Sequence, residues 1–264
     1  MKIATLNINS VNARLGNLCN WLQNNQPDVM MLQEIKCEFN NFPFFDIQIL
    51  GYDVKILGQK SYNGVAVLSR HKLNVCAENL PNFPDENARY LECDVNINSR
   101  TYTVASLYLP NGNPPYNNPA DTSRLAYKLD WMEAFLRHVE ELRLANKNII
   151  LAGDYNVILS DKDVYNPELF RDNALFLPQV RNKLNLLLRS GYADCFRQLH
   201  PAENGYTFWD YTGNAWQNDL GMRIDYILAS PYLSDCLLTC KVDKSFRALE
   251  KTSDHTILTA EFKD

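Results

Sequence analysis

The chain has few of the features that mark secreted proteins, membrane proteins or proteins with structural zinc sites. Its seven cysteines are odd in number and scattered, with no Cys-x-x-Cys pair and one close pair, Cys236 and Cys240. This pattern argues against a disulfide framework and against a metal held by thiolates, and it favours a reducing compartment. The chain also lacks an apolar run long enough to cross a bilayer and a basic segment leading into a signal sequence. We therefore expect a cytoplasmic protein with no membrane partner.

Positive charge is also scarce. The formal net charge of −5 does not favour a nucleic-acid partner, because duplex-binding proteins are usually basic on the contact face. Two alternatives stay open: a metal site would neutralise several of the counted carboxylates, or the basic residues would lie on one face. Internal repeats, low-complexity segments and composition shifts that would mark a linker are missing as well. The sequence therefore predicts one domain over residues 1–264.

The composition is typical of a globular protein, with 46% hydrophobic and 22% charged residues. Helical spacing or helix boundary residues predict helices over 12–23, over 122–145, and from Pro178 to just before Gly191. Apolar and alternating segments predict strands at 2–7, 28–34, 52–57, 64–69, 89–96, 101–109, 148–153, 223–228, 236–242 and 256–262. Helices alternate with strands and hairpins are also present, so we expect a mixed α/β layout.

Residues 148–156 carry the pattern around which the site is organised. Residues 149–152 are uninterrupted apolar, as expected for a strand covered on both faces. Asp154 and Asn156 follow Gly153 two residues apart, so an extended segment would point both side chains to the same side. A carboxylate and an amide presented together can hold a water, a metal or a phosphate. A plain polar turn has the same composition, and this stretch alone favours the turn.

Polar residues occur at other predicted strand ends too. They are Asn7, Glu34, Tyr108 and the Asp254-His255 pair ahead of the last strand. Asp225 differs because it lies within an apolar strand, where a carboxylate must be paired. His255 is the suitable partner, because it follows a carboxylate and stands at a strand start. We expect the other three histidines to be surface residues: His71, His138 and His200.

Seven short motifs, taken in their order and spacing, carry a family resemblance that runs nearly end to end. They are Asn7-Ile8-Asn9, Leu32-Gln33-Glu34, Tyr108-Leu109-Pro110-Asn111, Gly153-Asp154-Tyr155-Asn156, Phe208-Trp209-Asp210-Tyr211, Gly221-Met222-Arg223-Ile224-Asp225 and Ser253-Asp254-His255. The chain resembles the exonuclease III class of abasic-site endonucleases, in the endonuclease/exonuclease/phosphatase superfamily. The resemblance implies a DNase I-like four-layer α/β sandwich, in which two mixed β-sheets pack face to face with helices outside.

The resemblance also implies phosphodiester cleavage that depends on Mg²⁺ or Mn²⁺ and leaves a 3′-hydroxyl. Glu34 would be the main metal ligand, with Asn7 and Asp254 beside the metal. Asp154 would position the attacking water or accept its proton, and Asn156 would orient Asp154. These roles suit the residue types, because Mg²⁺ prefers oxygen ligands and one or two carboxylates suffice to hold it.

The remaining implied residues act on the substrate. Tyr108 would stabilise the developing charge, and Asp225 would orient His255, which would bond the scissile phosphate. A pocket for a base-less sugar is implied, with substrate contacts from Asn111, Phe208, Met222, Arg223 and Ile224. We expect Trp209 in the core instead. The chain departs from the family pattern at Met222, where some relatives carry a larger aromatic residue, and at Thr252 and Ile257, where proline is common.

The leading hypothesis is a DNA-repair nuclease acting as a monomer on duplex DNA. It would cleave 5′ to abasic sites, with 3′→5′ exonuclease and 3′-end trimming activity. A phosphatase of the same superfamily is the second hypothesis. The order Arg223-Ile224-Asp225 disfavours it, because inositol phosphatases carry a Trp-x-Asp-Arg motif. A non-catalytic binding module with the same fold is the third hypothesis, and it predicts eroded ligand residues, which this chain does not show.

Overall fold

The computed structural model describes residues 1–145 and 148–263, and most of these residues belong to two sheets and the helices around them. The strands are β1 (Lys2–Asn7), β2 (Val29–Gln33), β3 (Asp53–Leu57), β4 (Val65–Ser69), β5 (Leu73–Glu78), β6 (Tyr90–Ile97), β7 (Arg100–Tyr108), β8 (Ile149–Asp154), β9 (Ala193–Asp194), β10 (Asp225–Ala229), β11 (Leu237–Asp243) and β12 (Ile257–Phe262). The first sheet has the order β11-β12-β1-β2-β4-β3, and the second β5-β6-β7-β8-β10-β9. Each sheet is mixed, because β1 runs parallel to β2 and β7 runs parallel to β8.

Strand β8 shows why the central strands are apolar throughout. Successive side chains of a strand point to opposite faces of the sheet. Ile150 and Ala152 therefore pack between the two sheets, whereas Ile149 and Leu151 pack on the outer face, under the helices. A strand covered on both faces needs an unbroken apolar run, as the sequence analysis predicted.

Helices cover both outer faces, which completes four layers. The helices are α1 (Val11–Asn25), α2 (Phe44–Gln48), α3 (Ser123–Leu144), α4 (Pro178–Arg189), α5 (Cys195–Leu199), α6 (Pro231–Asp235) and α7 (Lys244–Arg247). The α1 residues Leu18 and Leu22 pack on the first sheet, and α3 and α4 pack on the second. The predicted four-layer sandwich is confirmed. Over the described ranges, no helix is both long and apolar enough to cross a membrane.

The differences from the sequence expectations include the start of β10, strand β5 and the location of His138. Strand β10 begins at Asp225, so this residue opens the strand instead of lying inside it. Strand β5, an edge strand with mostly exposed side chains, was missed. The prediction of a surface location was wrong for His138, which is 8% exposed. Its ring nitrogen Nε2 lies 2.7 Å from the buried carboxylate of Glu92, a partner from β6 that local sequence could not reveal.

Candidate active site

The predicted site residues converge because the sheets place their strand ends at one edge of the sandwich. In the second sheet, Asp154 at the end of β8 lies in register with Tyr108 on β7 and with Asp225 on β10. In the first sheet, Asn7 at the end of β1 lies beside the end of β2, which Glu34 follows. Residues distant in sequence therefore face one another at this edge.

Asn7 joins the two sheets. Its amide Nδ2 donates to Glu34 Oε1 at 2.8 Å and to Asp154 Oδ2 at 2.9 Å. Its Oδ1 accepts from the backbone N–H of Asn9 at 3.1 Å, which sets the orientation of the amide. One buried side chain thus holds the predicted metal ligand and the predicted water-binding carboxylate at a set separation.

Asp225 and His255 form a buried pair. Asp225 Oδ2 lies 2.8 Å from His255 Nδ1, and the other ring nitrogen, Nε2, lies 3.7 Å from Asp154 Oδ2. Burial by itself would lower the pKa of His255, but the charges of Asp225 and Asp154 outweigh burial and raise it to about 10. The imidazole is therefore an imidazolium at neutral pH, and it can donate a hydrogen bond from Nε2 to an anion.

The pKa of Asp154 lies near neutral pH. Burial is the largest influence and raises its pKa to about 7, opposed by the His255 charge and helped by the Asp225 charge. Hydrogen bonds from Asn7 and from the backbone N–H of Asn156, at 2.9 Å to Oδ1, favour the ionised form. A carboxylate with this pKa accepts a proton more readily than an exposed one does.

The turn that presents Asp154 depends on two backbone conformations. Gly153 has φ +153°, and a Cβ at this position would lie 1.9 Å from the carbonyl oxygen of Leu107. Asn156 has φ +48°, and its amide Nδ2 donates to the carbonyl of Leu109 at 2.9 Å. The polar turn and the candidate site are therefore the same structure, because the turn brings β7 and β8 together around Asp154.

Glu34 and its neighbours suit a hard cation. Burial would raise the pKa of Glu34, but hydrogen bonds from Asn7 and Lys36 and the charge of Lys36 lower it, so the carboxylate is ionised. Asn9 connects this group to Asp254, because its Nδ2 donates to Asp254 Oδ1 at 3.1 Å and its Oδ1 accepts from Lys36 at 2.6 Å. The carboxylates of Glu34 and Asp254 are oxygen donors of the kind that Mg²⁺ or Mn²⁺ prefers, and Asn7 and Asn9 lie beside them.

A second group of candidate ligands lies deeper and fits a metal less well. Asp154, Asp225 and His255 place potential ligand atoms within 4.8 Å of one another. His255, however, has its Nδ1 bonded to Asp225, which leaves Nε2 as its only free ring nitrogen. Glu34 and its neighbours remain the candidate site for the cation. The second carboxylate oxygen of Asp225, Oδ1, is buried and has no hydrogen-bond partner among the residues described.

Tyr108 faces the two carboxylates from β7. Burial and the charges of Glu34 and Asp154 raise its pKa well above the ordinary tyrosine value, so its hydroxyl stays protonated. The guanidinium of Arg89 lies 4.9 Å from the centre of its ring, and Arg89 also donates to the carbonyl of Tyr108 at 3.2 Å. The hydroxyl is therefore a donor held in place at the site rim.

The predicted substrate residues separate into two groups. Phe208 and Met222 are half-buried and pair through their backbones, and the Phe208 ring lies 4.9 Å from that of His255. Asn111 is exposed, and its amide donates to Asn156 Oδ1 at 3.3 Å. These three residues lie next to the catalytic groups. Trp209 is fully buried, as expected of a core residue.

Arg223 and Ile224 do not line the pocket, which corrects the expectation from the resemblance. Arg223 is only 1% exposed, and its guanidinium bonds Asp163 at 2.6 Å and Asp194 at 2.7 Å. Ile224 is buried in the apolar cluster beneath Met222. Both residues support the segment that carries Asp225, and neither is available to a substrate.

The sequence analysis named Lys36 and Lys128 nowhere and gave Asn9 no role beyond its place in the first motif. A signal existed for Lys128, because it stands three residues after Leu125 and four before Met132, on the apolar face of the predicted helix. Its side chain is fully buried beneath the site. Asn9 and Lys36 stand two residues after Asn7 and Glu34, positions that an analysis limited to strand ends passes over.

The charges explain why these groups lie together. A phosphodiester brings negative charge to a site that already holds ionised Glu34, and both an imidazolium and a bound cation offset that repulsion. An ionisable carboxylate next to them can receive a proton from water. The protein is therefore, as a class, a metal-dependent hydrolase of phosphate esters.

Comparison with known proteins agrees with this class. A family model described as the endonuclease/exonuclease/phosphatase family matches residues 4–255. The chain is 31% identical to exodeoxyribonuclease III of Haemophilus influenzae, over 100% of each chain. It belongs to this family and, within it, to the exodeoxyribonuclease III class of DNA-repair nucleases, which confirms the resemblance carried by the motifs.

Two solved structures are similar over their whole length. A 3′ phosphatase from Neisseria bound to a product DNA hairpin is 36% identical, with a TM-score of 0.94 and 100% of each chain covered. An AP endonuclease from Archaeoglobus fulgidus is 32% identical, with a TM-score of 0.92 and the same coverage. Both confirm the DNase I-like fold, and their names describe two different reactions within one architecture.

Proposed function

We propose that the protein is a Mg²⁺-dependent (or Mn²⁺-dependent) nuclease that cleaves duplex DNA 5′ to abasic sites and also trims 3′ ends, including 3′→5′ exonuclease action. The observation that carries the proposal is that the amide of Asn7 donates to both the ionised Glu34 and Asp154. Asp154 is the carboxylate whose pKa is raised to about 7. A metal ligand and a water-binding base are thus held together by two hydrogen bonds from one side chain. The similarity to an exodeoxyribonuclease III and to an AP endonuclease supports the substrate class.

Glu34 would hold the cation, with Asp254 and the amides of Asn7 and Asn9 near it. When bound, the cation neutralises phosphate charge and stabilises the leaving oxygen. Asp154 receives the proton of the attacking water, and Asn7 and the Asn156 N–H hold its carboxylate in place. Orientation of this kind is worth several orders of magnitude in rate.

His255 donates from Nε2 to a non-bridging phosphate oxygen, while Asp225 holds the ring in one orientation through Nδ1. Tyr108 donates its hydroxyl toward the same developing charge, and its raised pKa keeps the proton available. Donors aimed at charge that grows in the transition state typically contribute about 10²-fold or more in rate each.

The surface around these groups suits a DNA backbone despite the net charge. A groove of about 370 Å³ is lined in part by Arg89, Asn111 and Arg124. A second groove, of about 490 Å³, is lined in part by Lys36 and Lys60. Basic residues therefore line the two grooves that contain Asn111 and Lys36, where a phosphate backbone would find positive charge. Phe208 and Met222 supply an apolar surface for a sugar that lacks its base.

The test is a side-by-side cleavage assay on four labelled duplexes with Mg²⁺. They carry a central abasic analogue, a blunt 3′ end, a mismatched 3′ end or a 3′-phosphate. We expect incision at the abasic analogue and 3′ processing, abolished by EDTA and reduced at least about 10²-fold in Glu34→Ala and Asp154→Asn. Full activity in chelator would contradict the proposal. The exposed ion-pair variant Lys183→Met is a matched control.

The same assay separates the alternatives. Phosphate release from the 3′-phosphate duplex without incision would favour a 3′ phosphatase, the reaction named for the Neisseria relative. Release from inositol phosphates would favour a phosphatase of the wider family. Tight abasic-DNA binding without cleavage under any divalent metal would indicate a binding module.

The remaining proposals concern the state of the protein. We propose a single domain over residues 1–264 that acts as a monomer, which light scattering on a sizing column would check. A reducing, cytoplasmic location is supported by the cysteines, all seven of which are free thiols.

A further inference from the structure

Lys128 is a buried ammonium that carries no assigned role in the reaction. It lies on α3, is 0% exposed, and donates from Nζ to the carbonyl oxygens of Asn156 at 2.6 Å and Asn111 at 2.9 Å. Both partners are neutral backbone groups. A buried charge without a carboxylate partner is costly, and burial lowers the pKa of Lys128 to about 7, with the charge of Asp154 acting in the opposite direction. Because burial of this charge is unfavourable, we expect the side chain to have a role that offsets the cost.

The chain also makes room for this lysine. Gly112 adopts φ +86°, and a Cβ at this position would lie 2.6 Å from Lys128 Cδ. The glycine therefore lets the loop after β7 pass directly over the lysine stem. Loop and lysine are fitted to each other, so the ammonium reaches a defined position.

The two carbonyls belong to the segments that present the site. Asn156 donates its backbone N–H to Asp154 and its amide Nδ2 to the carbonyl of Leu109. Asn111 donates its amide to Asn156 Oδ1. The ammonium closes this set from below, because it holds residues 109–111 and 154–156 together through their main chains.

We propose that Lys128 is a positioning residue for the reaction: by binding the carbonyls of Asn111 and Asn156, it sets the turn that aims Asp154 at the attacking water. The inference rests on the proposed nuclease function. Since a displacement on the order of 1 Å can cost about 10²-fold in rate, loss of the ammonium acts on kcat more than on DNA affinity.

The experiment compares wild type, Lys128→Met and Lys183→Met, a lysine on α4 whose ion pair with Glu133 is partly exposed. Methionine has a volume similar to that of lysine, is one heavy atom shorter and lacks the charged donor. On a DNA substrate that the wild type cleaves, we expect Lys128→Met to lose about 10- to 100-fold in kcat with KM within about 3-fold, and Lys183→Met to match wild type. If the wild type cleaves no DNA, the proposed function fails. If it does and Lys128→Met matches it, this inference fails.

Two further readouts separate positioning from plain structural support. Amide exchange should rise at residues 154–156 and 109–113 in Lys128→Met, while the β8 core exchanges as in wild type. In Lys128→Ala, propylammonium should restore part of the lost kcat, and propanol, a neutral molecule of similar size, should not. A Lys128→Met protein that fails to fold, or one with unchanged exchange at the turn, would overturn the proposal, because the ammonium would then support the fold generally. Equal rescue by both additives would overturn it too.

Discussion

The Asp225→Asn substitution offers a quantitative test of the Asp225–His255 pair. The carboxylate lies 2.8 Å from His255 Nδ1, and its charge is the main influence that raises the pKa of His255 to about 10 against burial. An asparagine keeps the shape and removes the charge, so the pKa of His255 should fall toward its ordinary value of about 6.5. At pH 8 the imidazole would then be only about 3% charged, compared with about 99% in wild type.

The expected rate loss therefore depends on pH. At pH 8, scarcity of the imidazolium alone lowers kcat/KM about 30-fold, whereas at pH 6 about three quarters of the variant carries the charge and this contribution nearly vanishes. A less ordered ring adds a loss that is independent of pH. The measurement is kcat/KM for both proteins on the substrate of the functional assay, from pH 6 to pH 8. A wild-type-to-variant ratio that stays constant over this range would refute the reasoning.

Two controls sharpen this test. Asp161→Asn removes an exposed carboxylate, so the ratio of wild-type to variant kcat/KM should be one. In a His255→Gln background, Asp225→Asn should lower kcat/KM little further, because Asp225 acts through His255 and that partner is already absent.

Stability gives an independent readout of the same pair. The folded-state pKa of His255 is raised from 6.5 to about 10, so its stabilisation is complete below pH 6.5 and is lost as pH rises toward 10. The free energy of unfolding is measured by urea titration without metal, and the wild-type value relative to that of Asp225→Asn should fall through this window by a few kcal/mol. The comparison is needed because Lys128, with its pKa lowered to about 7, contributes to both proteins in the opposite direction.

Two further predictions address the scaffold. Gly153→Ala should destabilise the protein by about 3 kcal/mol or more, because its Cβ would lie 1.9 Å from the carbonyl oxygen of Leu107. Gly16→Ala, whose Cβ would have no atom within 4 Å, should stabilise helix α1 by about 0.5–1 kcal/mol. Urea denaturation of both variants checks the two values. Arg223→Met should cost about 3–5 kcal/mol, because it leaves the buried Asp194 without its ion-pair partner and Asp163 with Arg197 alone, whereas Arg171→Met breaks an exposed pair and should change stability little. Similar losses for Arg223→Met and Arg171→Met in thermal unfolding would contradict the second prediction.

Much of the fold could be read from local patterns. The run 149–152 predicted a strand buried on both faces, and the structure confirms it, with Ile150 and Ile149 in different apolar clusters. Strand β5 was not predicted, although Leu73, Val75 and Ala77 alternate along it. The alternation of so short a segment is a weak signal, and its edge position leaves most of its side chains exposed.

For the site, the motifs located the strand ends correctly. They could not distinguish residues that contact the substrate from residues that support the fold. Arg223 has the chemistry of a phosphate ligand, yet the fold directs it inward to Asp163 and Asp194. His138 looked like a surface residue on a helix, yet a carboxylate from β6 faces it. The direction of a side chain depends on partners distant in the chain, which local patterns do not contain.

By itself, the sequence determined that apolar strands would end in carboxylates and amides, because strand burial and polar turns follow from residues that are near neighbours in the chain. Only the tertiary structure decided which of these groups meet. Asn7 and Asp154 are 147 positions apart and bond at 2.9 Å because two sheets pack face to face with the ends of β1 and β8 at one edge. The buried side chain of Lys128 lies under that edge because helix α3 packs on the second sheet.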